Sequence, residues 1–374
     1  MKIMKGRGII GKLLCLSWVL MLLPSILTAQ KQEEMKFVSI DSLMIIGKGF
    51  DDSHVKYGRV PASLKGELRK ELLSLGANSA GIAVRFSSNS SYIGAKWKVL
   101  EDVNMNHMPG TGIKGIDLYI LDGVTWRYAG TARPNAKESF GIFIKNMTRQ
   151  NREFIAYLPL YDGVEYVEIG VEREARLSLP QINRLTKREE RKPIVFYGTS
   201  ITQGGCASRP GMAYPSILGR MLDRETINLG FSGNGKMDFS MAKAITMIEA
   251  DAVVLDCLPN TTAQSLRDSA YRFIGYILEN RPGVKLYMIE NPNFPYLFAD
   301  VETKAALDEE NKVWRELFAR FVSEGHENII YIRGENLLGE DGETTVDGVH
   351  YTDLGFLRFA ESIREYFAPF ATGR

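Results

Sequence analysis

The chain has few cysteines and histidines: 3 and 4 in 374 residues. Three cysteines are too few for a disulfide-stapled scaffold. Four histidines leave few candidates for acid–base work, and neither an HExxH run nor a Cys/His cluster points to a metal. Charge of one sign is also missing. The 46 basic and 45 acidic residues leave a net charge of +1, which excludes a strongly basic nucleic-acid binder. Long apolar runs are scarce. Leu13–Leu27 is 15 residues broken by Pro24, short of the roughly 20 a spanning helix needs. No internal repeat or low-complexity tract is present. The 45% hydrophobic and 24% charged residues fit a folded chain of two domains.

The N-terminus reads as a secretory signal over residues 1–29. Lys2, Lys5, Arg7 and Lys12 precede the apolar run, and small residues Thr28 and Ala29 follow it. Cys15 lacks the small preceding residue that lipoprotein processing wants, so lipidation is not expected. Without the leader's four basic residues, 42 remain against 45 acids, a net charge of −3. The expectation is a secreted or periplasmic protein with no stable membrane insertion and no nucleic-acid partner.

Residues 36–185 carry short alternating runs: Ala80–Val99 (split by a Ser/Asn cluster), Gly115–Asp122, Trp126–Thr131, Ser139–Lys145, Glu153–Pro159 and Val164–Glu172. With turns such as Asp122-Gly123 between them, they predict an antiparallel β-sandwich. Thr186–Lys192 reads as a charged linker. From 193 to 370 apolar runs at Ile194–Tyr197, Thr226–Leu229, Ala252–Asp256, Lys285–Ile289 and Ile329–Ile332 alternate with helical stretches. That rhythm predicts a three-layer α/β/α domain on a parallel sheet, with ligands beyond the carboxyl ends of its strands.

Polar residues at those strand ends are the site candidates. Ser200, in Gly198-Thr199-Ser200, would present a hydroxyl where the first strand enters a helix, though alone it also reads as an ordinary cap. Asp347-Gly348-Val349-His350 offers a base and a carboxylate in one loop, and a weak hydroxyl nucleophile needs that base. His54, His107 and His326 are expected to be structural or solvent-exposed. Gly233 after the second strand and Asn260 after the third could donate to a developing oxyanion. Arg209 is a candidate for binding a polar substrate, whereas Glu290 and Asn291 fit loop hydrogen bonding.

These four blocks, in order across Pro193–Phe370, resemble the SGNH (GDSL-like) hydrolase family. By position the resemblance implies Ser200 as nucleophile, His350 as base and Asp347 as its orienting acid. Gly233 and Asn260 fall on the oxyanion-hole residues, joined by the Ser200 N–H. Thr199 departs from the usual Asp of the first block, and Leu258-Pro259-Asn260-Thr261 from Gly-x-Asn-Asp in the third. Gly204–Gly211 (GGCASRPG) looks like a hallmark of the branch named for a Gly-x-Asp-Leu-Tyr signature, and Gly115–Tyr119 (GIDLY) reproduces that signature. Asp117 reads as structural there. The implied activity is cofactor-free hydrolysis of acyl esters, acetyl groups on carbohydrate first. The same triad would serve an acyltransferase. A non-catalytic carbohydrate-binding relict would have lost a reacting residue, and none is missing.

Two questions stay open at this level. Gly230–Lys236 has phosphate-loop spacing, with Ala252–Asp256 as a Walker B-like strand, but Met237 stands where a Ser or Thr should hold Mg²⁺. Cys206 and Cys257 are either a disulfide or two buried thiols. The short linker also predicts that the sandwich packs near the rim of the serine site and shapes substrate choice.

Overall fold

A computed structural model describes residues 34–180 and 191–371. The expected signal peptide and most of the charged linker lie outside the described residues. The N-terminal region contributes ten strands: β1 (Met35–Ser39), β2 (Met44–Ile46), β3 (Ala83–Ser88), β4 (Ile93–Val99), β5 (Ile116–Asp122), β6 (Thr125–Ala132), β7 (Glu138–Ile144), β8 (Arg152–Tyr157), β9 (Val164–Glu172) and β10 (Leu177–Ser178). They form two sheets, β1-β9-β4-β7 and β10-β3-β8-β5-β6, with β2 added against β3. Alternation sets the inner faces. Along β4, Ala95, Trp97 and Val99 turn inward while Lys96 and Lys98 stay partly exposed. Trp97, Phe86, Phe154, Val167 and Ile169 fill the space between the sheets.

The second region is a five-stranded parallel sheet in the order β12-β11-β13-β14-β15. Its strands are β11 (Ile194–Gly198), β12 (Thr226–Gly230), β13 (Ala252–Asp256), β14 (Lys285–Ile289) and β15 (Ile329–Ile332). Covered by helices, β11, β12 and β13 are buried along their whole length, so they read as unbroken apolar runs rather than alternating ones. The first strand lies between the second and third, and this reversal of strand order creates the crevice. Register carries the consequence: Gly198 is level with both Gly230 and Asp256. The loops leaving all three strands therefore start side by side.

One segment departs from the strand-rich expectation. Between β2 and β3 the chain leaves the sheets and forms a short helix, Lys70–Gly76. Leu64, Leu68 and Leu72 recur every four residues and are buried in the core of the parallel-sheet half, with Phe50 and Val60. Removing one such leucine side chain costs roughly 2–5 kcal/mol. On the other side of the sheet, Met108, Ile113, Leu160 and Tyr161 join the second core of that half. The two regions thus share their cores.

Candidate active site

Ser200 opens the turn after β11. Thr199 caps it, its side chain accepting from the Ile201 N–H at 3.2 Å. The turn's floor is Asp256 at the end of β13, which accepts from Thr202 Oγ1 and Tyr214 Oη, each at 2.9 Å. Burial pushes the Asp256 carboxyl up to about 6 against these hydrogen bonds.

His350 reaches Ser200 from the loop after β15. Its Nε2 lies 2.8 Å from Ser200 Oγ, and its Nδ1 lies 2.7 Å from Asp347 Oδ2. The loop is self-supporting. Asp347 Oδ1 accepts from the backbone N–H of His350 at 2.8 Å and of Val349 at 3.1 Å. The Val346 N–H closes it onto the His350 carbonyl at 2.8 Å. Partial burial alone would raise the Asp347 carboxyl. The hydrogen bonds from His350 and Val349 outweigh that and hold it at about 2, so it is a carboxylate throughout the neutral range. An ionised carboxylate behind Nδ1 fixes the tautomer that leaves Nε2 free to accept from a hydroxyl.

On the opposite flank, Gly233 follows β12 and Asn260 ends the turn Leu258–Asn260 after β13. Asn260 Oδ1 accepts from the Gly235 N–H at 3.2 Å, which orients the amide and leaves its Nδ2 donors unengaged. Among the described residues, the N–H groups of Ser200 and Gly233 also have no hydrogen-bond partner. Three donors of the kind that holds an oxyanion therefore come from three adjacent strand ends.

This arrangement removes the phosphate-loop reading. A phosphate cradle needs successive free N–H groups. Here the Ser232 N–H goes to Gln203 Oε1, Asn234 to the Phe231 carbonyl and Gly235 to Asn260. A Cβ on Gly235 would lie 2.4 Å from the Gly198 carbonyl oxygen, so the loop is pressed onto the serine turn. Asp256, the apparent Walker B acid, is buried beneath that turn.

Arg209 is not brought to the serine, and its expected substrate contact is corrected to a contact across the seam. Its guanidinium donates to Asp117 Oδ2 at 2.7 Å and to the Tyr119 hydroxyl, and it stacks 3.9 Å over Tyr128. Asp117 is fully buried and also accepts from the Gly211 N–H at 3.0 Å. A Cβ on Gly211 would sit 2.5 Å from the Tyr119 ring, so glycine is required. The Gly115–Tyr119 signature and the Gly204–Gly211 loop are thus the two halves of one contact. Glu290 and Asn291 do bond within the fold, Glu290 to Arg315 and Tyr331, Asn291 to Glu310. Both Cys206 and Cys257 are free, buried thiols. Burial, then the charge on Asp347, pushes Cys206 up to about 11.

Residues of the N-terminal region press on the site and were not singled out by sequence. The Tyr161 hydroxyl donates to the Ser200 carbonyl at 3.3 Å. Arg59, 2% exposed, donates to the carbonyls of Asn228 and Gly230 at 3.1 and 2.6 Å. Burial lowers its pKa to about 9, which leaves it cationic at neutral pH. Arg69 donates to Asn234 Oδ1 at 2.9 Å and to both oxygens of Asp238. His107, expected to be structural or solvent-exposed, is exposed and has its ring centroid 5.7 Å from that of His350. The loss of strand alternation over residues 47–79 was the one available signal for the arginines; His107 had none.

Comparison with known proteins agrees with this architecture. The GDSL-like lipase/acylhydrolase family matches residues 191–368, and the GxDLY N-terminal domain of SGNH-type esterases matches residues 35–177. A protein of Bacteroides ovatus ATCC 8483 assigned as a GDSL-like lipase is 31% identical, with 90% of this chain and 98% of that one covered at a TM-score of 0.84. More distant in sequence is a salicylyl-acyltransferase from a tetracycline biosynthetic pathway, at 16% identity, 90% and 97% coverage and a TM-score of 0.69. An acetyl xylan esterase from the rumen bacterium Butyrivibrio proteoclasticus shares the fold at 11% identity, 89% and 98% coverage and a TM-score of 0.53. No curated protein matches the sequence. The chain belongs to the GDSL-like (SGNH) hydrolase family, in the branch with a GxDLY N-terminal domain, and is a carboxylic ester hydrolase.

Proposed function

We propose that this protein is an exported esterase that removes acyl groups, acetyl first among them, from carbohydrate through Ser200, His350 and Asp347. The observation that carries the reading is the unbroken chain from Asp347 Oδ2 through His350 to Ser200 Oγ, with links of 2.7 and 2.8 Å. Ser200 Oγ attacks the ester carbonyl as its proton passes to His350 Nε2, and Asp347 stabilises the imidazolium. The Ser200 and Gly233 N–H groups and Asn260 Nδ2 hold the oxyanion. His350 returns its proton to the departing alcohol, leaving an acyl-serine. Water, deprotonated by the same imidazole, then releases the acid and restores the serine.

A carbohydrate alcohol fits the cleft at the domain seam. Its volume is about 900 Å³, and beside the apolar Leu75, Leu100, Val103 and Met105 its lining includes Lys70, Glu71, Asn78, Glu101, Ser232 and Asn234. The polar members can hydrogen-bond sugar hydroxyls, and the apolar ones can pack against a ring face. The acetyl xylan esterase and a Clostridium thermocellum family two carbohydrate esterase solved with cellohexaose share the fold and support the same class. Export rests on the leader at 1–29. Among the described residues no helix is long and apolar enough to cross a membrane.

The test compares nitrophenyl acetate, a long-chain nitrophenyl ester and an acetylated oligosaccharide. The wild type should release acetate from the oligosaccharide. Ser200→Ala and His350→Ala should each lower kcat by about 10⁴-fold or more, and the double mutant should be scarcely worse, because the residues act as one unit. Preference for the long-chain ester would overturn the carbohydrate assignment, and multiplying defects would overturn the shared proton transfer. The acyltransferase of TM-score 0.69 gives the second reading its weight. It requires the acetyl group to appear on an added acceptor alcohol in place of free acetate.

A further inference from the structure

Beside the serine lies a ligand set in which Asp347 and His350 are joined by two side chains, His107 and Cys206, that ester hydrolysis does not use. One ligand atom from each of His107, Cys206, Asp347 and His350 lies within 4.8 Å of all the others. Among the described residues, no other group of three or more such side chains comes together in this way. The four arrive from separate segments: His107 from the N-terminal region, Cys206 from the loop after Ser200, and Asp347 and His350 from the loop after β15.

We propose that these residues form a site for a borderline transition-metal ion, with Zn²⁺ as the type, and that its occupation switches the esterase off. The inhibitory half rests on the triad proposed above. The donor set is one thiol, two imidazoles and one carboxylate, the mixture that Zn²⁺ takes in tetrahedral sites. Ligand atoms about 2.0–2.3 Å from such an ion stand roughly 3.4–3.8 Å apart at tetrahedral angles. At the full 4.8 Å a pair of ligand atoms has to close by roughly 1.0–1.4 Å, and His107, which is exposed, has room to move.

Two local features fit the assignment. His107 Nδ1 lies 2.8 Å from Asn106 Oδ1. Accepting from Nδ1–H, that amide oxygen leaves the Nε2 lone pair for a metal, as the outer partners of metal-bound imidazoles do. Cys206 has a φ of +70°, where a residue with a side chain is strained, and it directly follows two glycines. The fold keeps a thiol at a position that glycine would occupy more easily.

Binding would release the Cys206 proton to solvent as the thiolate enters the coordination sphere. Inhibition follows from shared atoms. An imidazole nitrogen or carboxylate oxygen that coordinates the ion no longer serves the chain from Asp347 to Ser200 Oγ. The ion would also join the N-terminal region to the two loops of the site.

The experiment has a binding arm that does not depend on activity. Full-length Ser200→Ala is titrated with Co²⁺ alone. The site predicts a thiolate-to-cobalt charge-transfer band with the intense visible bands of tetrahedral Co²⁺. Adding Cys206→Ser should abolish the charge-transfer band, and adding His107→Ala should weaken binding by about tenfold or more. In the activity arm, Zn²⁺ should inhibit the wild type reversibly by chelator. Cys206→Ser and His107→Ala should each keep the chelator-treated activity and raise the inhibiting Zn²⁺ concentration about tenfold or more. No charge-transfer band, or Zn²⁺ inhibition unchanged in Cys206→Ser, overturns the site. Binding through Cys206 without loss of activity overturns the switch. Undiminished activity in Ser200→Ala refutes the proposed nucleophile instead, and the cobalt arm still decides the metal site.

Discussion

On one side of Ser200 stands a loop that braces itself. Asp347 and His350 are three residues apart, and the carboxylate accepts from His350 through both the ring and the backbone. On the other side, the Gly230–Asn234 loop leans on residues far away in the chain. Arg69 reaches Asp238 across 169 positions and Asn234 across 165, and Arg59 supports the β12 carbonyls from 169 and 171 positions away. The His350 loop is thus held locally, whereas β12 and the loop after it are also held by arginines of the N-terminal region. Damage to that docking should reach stability and kcat through the oxyanion side while leaving the Asp347–His350 pair intact.

The largest effect expected from this difference comes from deleting the N-terminal region. A chain of residues 191–374 loses Leu64, Leu68 and Leu72 from one core and Met108, Ile113 and Leu160 from the other. At roughly 2–5 kcal/mol per large apolar side chain, the loss of about 12–30 kcal/mol matches or exceeds the roughly 5–15 kcal/mol that holds a typical domain folded. Circular dichroism and thermal melts should show no cooperative transition. A cooperative melt with full activity on nitrophenyl acetate would make the region a separable module. To the expectation that the sandwich shapes substrate choice this adds a folding role, since the segment between β2 and β3 packs in the core of the parallel-sheet half.

Next in size is Asn260→Ala, which should lower kcat on nitrophenyl acetate by roughly 10²–10³-fold with a smaller change in KM. An unchanged kcat with chemistry rate-limiting would remove Asn260 from the oxyanion site. Arg69→Gln sharpens the comparison further. It frees Asn234 and Asp238, and kcat on the same small ester should fall on the order of tenfold. Arg315→Gln, which breaks a pair with Glu290, should leave kcat alone. Equal kcat in both variants would show that the brace does not matter.

The smallest effect lies beneath both sides, at Asp256. Its folded-state pKa of about 6 exceeds the ordinary 3.8, so the folded protein binds the extra proton between those values. Stability from this group is therefore present below about pH 4 and declines as pH rises through about 6, by up to roughly 3 kcal/mol. Asp256→Asn keeps an acceptor for Thr202 and Tyr214 without the buried charge. Its melting temperature relative to wild type should be higher at pH 8 than at pH 4. The opposite trend would show that the carboxylate's hydrogen bonds outweigh its burial.

The same comparison explains what the sequence disclosed. The parallel strands were legible because each is a short run of continuous apolar residues, and Val164–Glu172 was legible from its alternation. Ser200, His350, Asp347, Gly233 and Asn260 were legible because a strand end places its next few residues in the crevice, and four blocks kept their order. The partner of Arg209 was not legible. Nothing local in Arg209 or Asp117 states that they meet across 92 positions. The approach of His107 to His350 was not legible for the same reason, since a histidine in a loop does not state which loop it faces. Leu64, Leu68 and Leu72 carried a usable four-residue repeat, but the strand-like rhythm around them hid it.

The central claim is that His350 makes Ser200 a nucleophile. It is tested most directly by labelling with a small fluorophosphonate, followed by intact mass and peptide mapping. The wild type should gain one phosphonyl group on the Ser200 peptide, as the reagent releases fluoride and the serine hydroxyl gives up its proton. Ser200→Ala should gain none, and His350→Ala should label slower by about 10³-fold or more, since the hydroxyl then lacks its base. A label on another residue, or undiminished labelling of His350→Ala, would contradict the account.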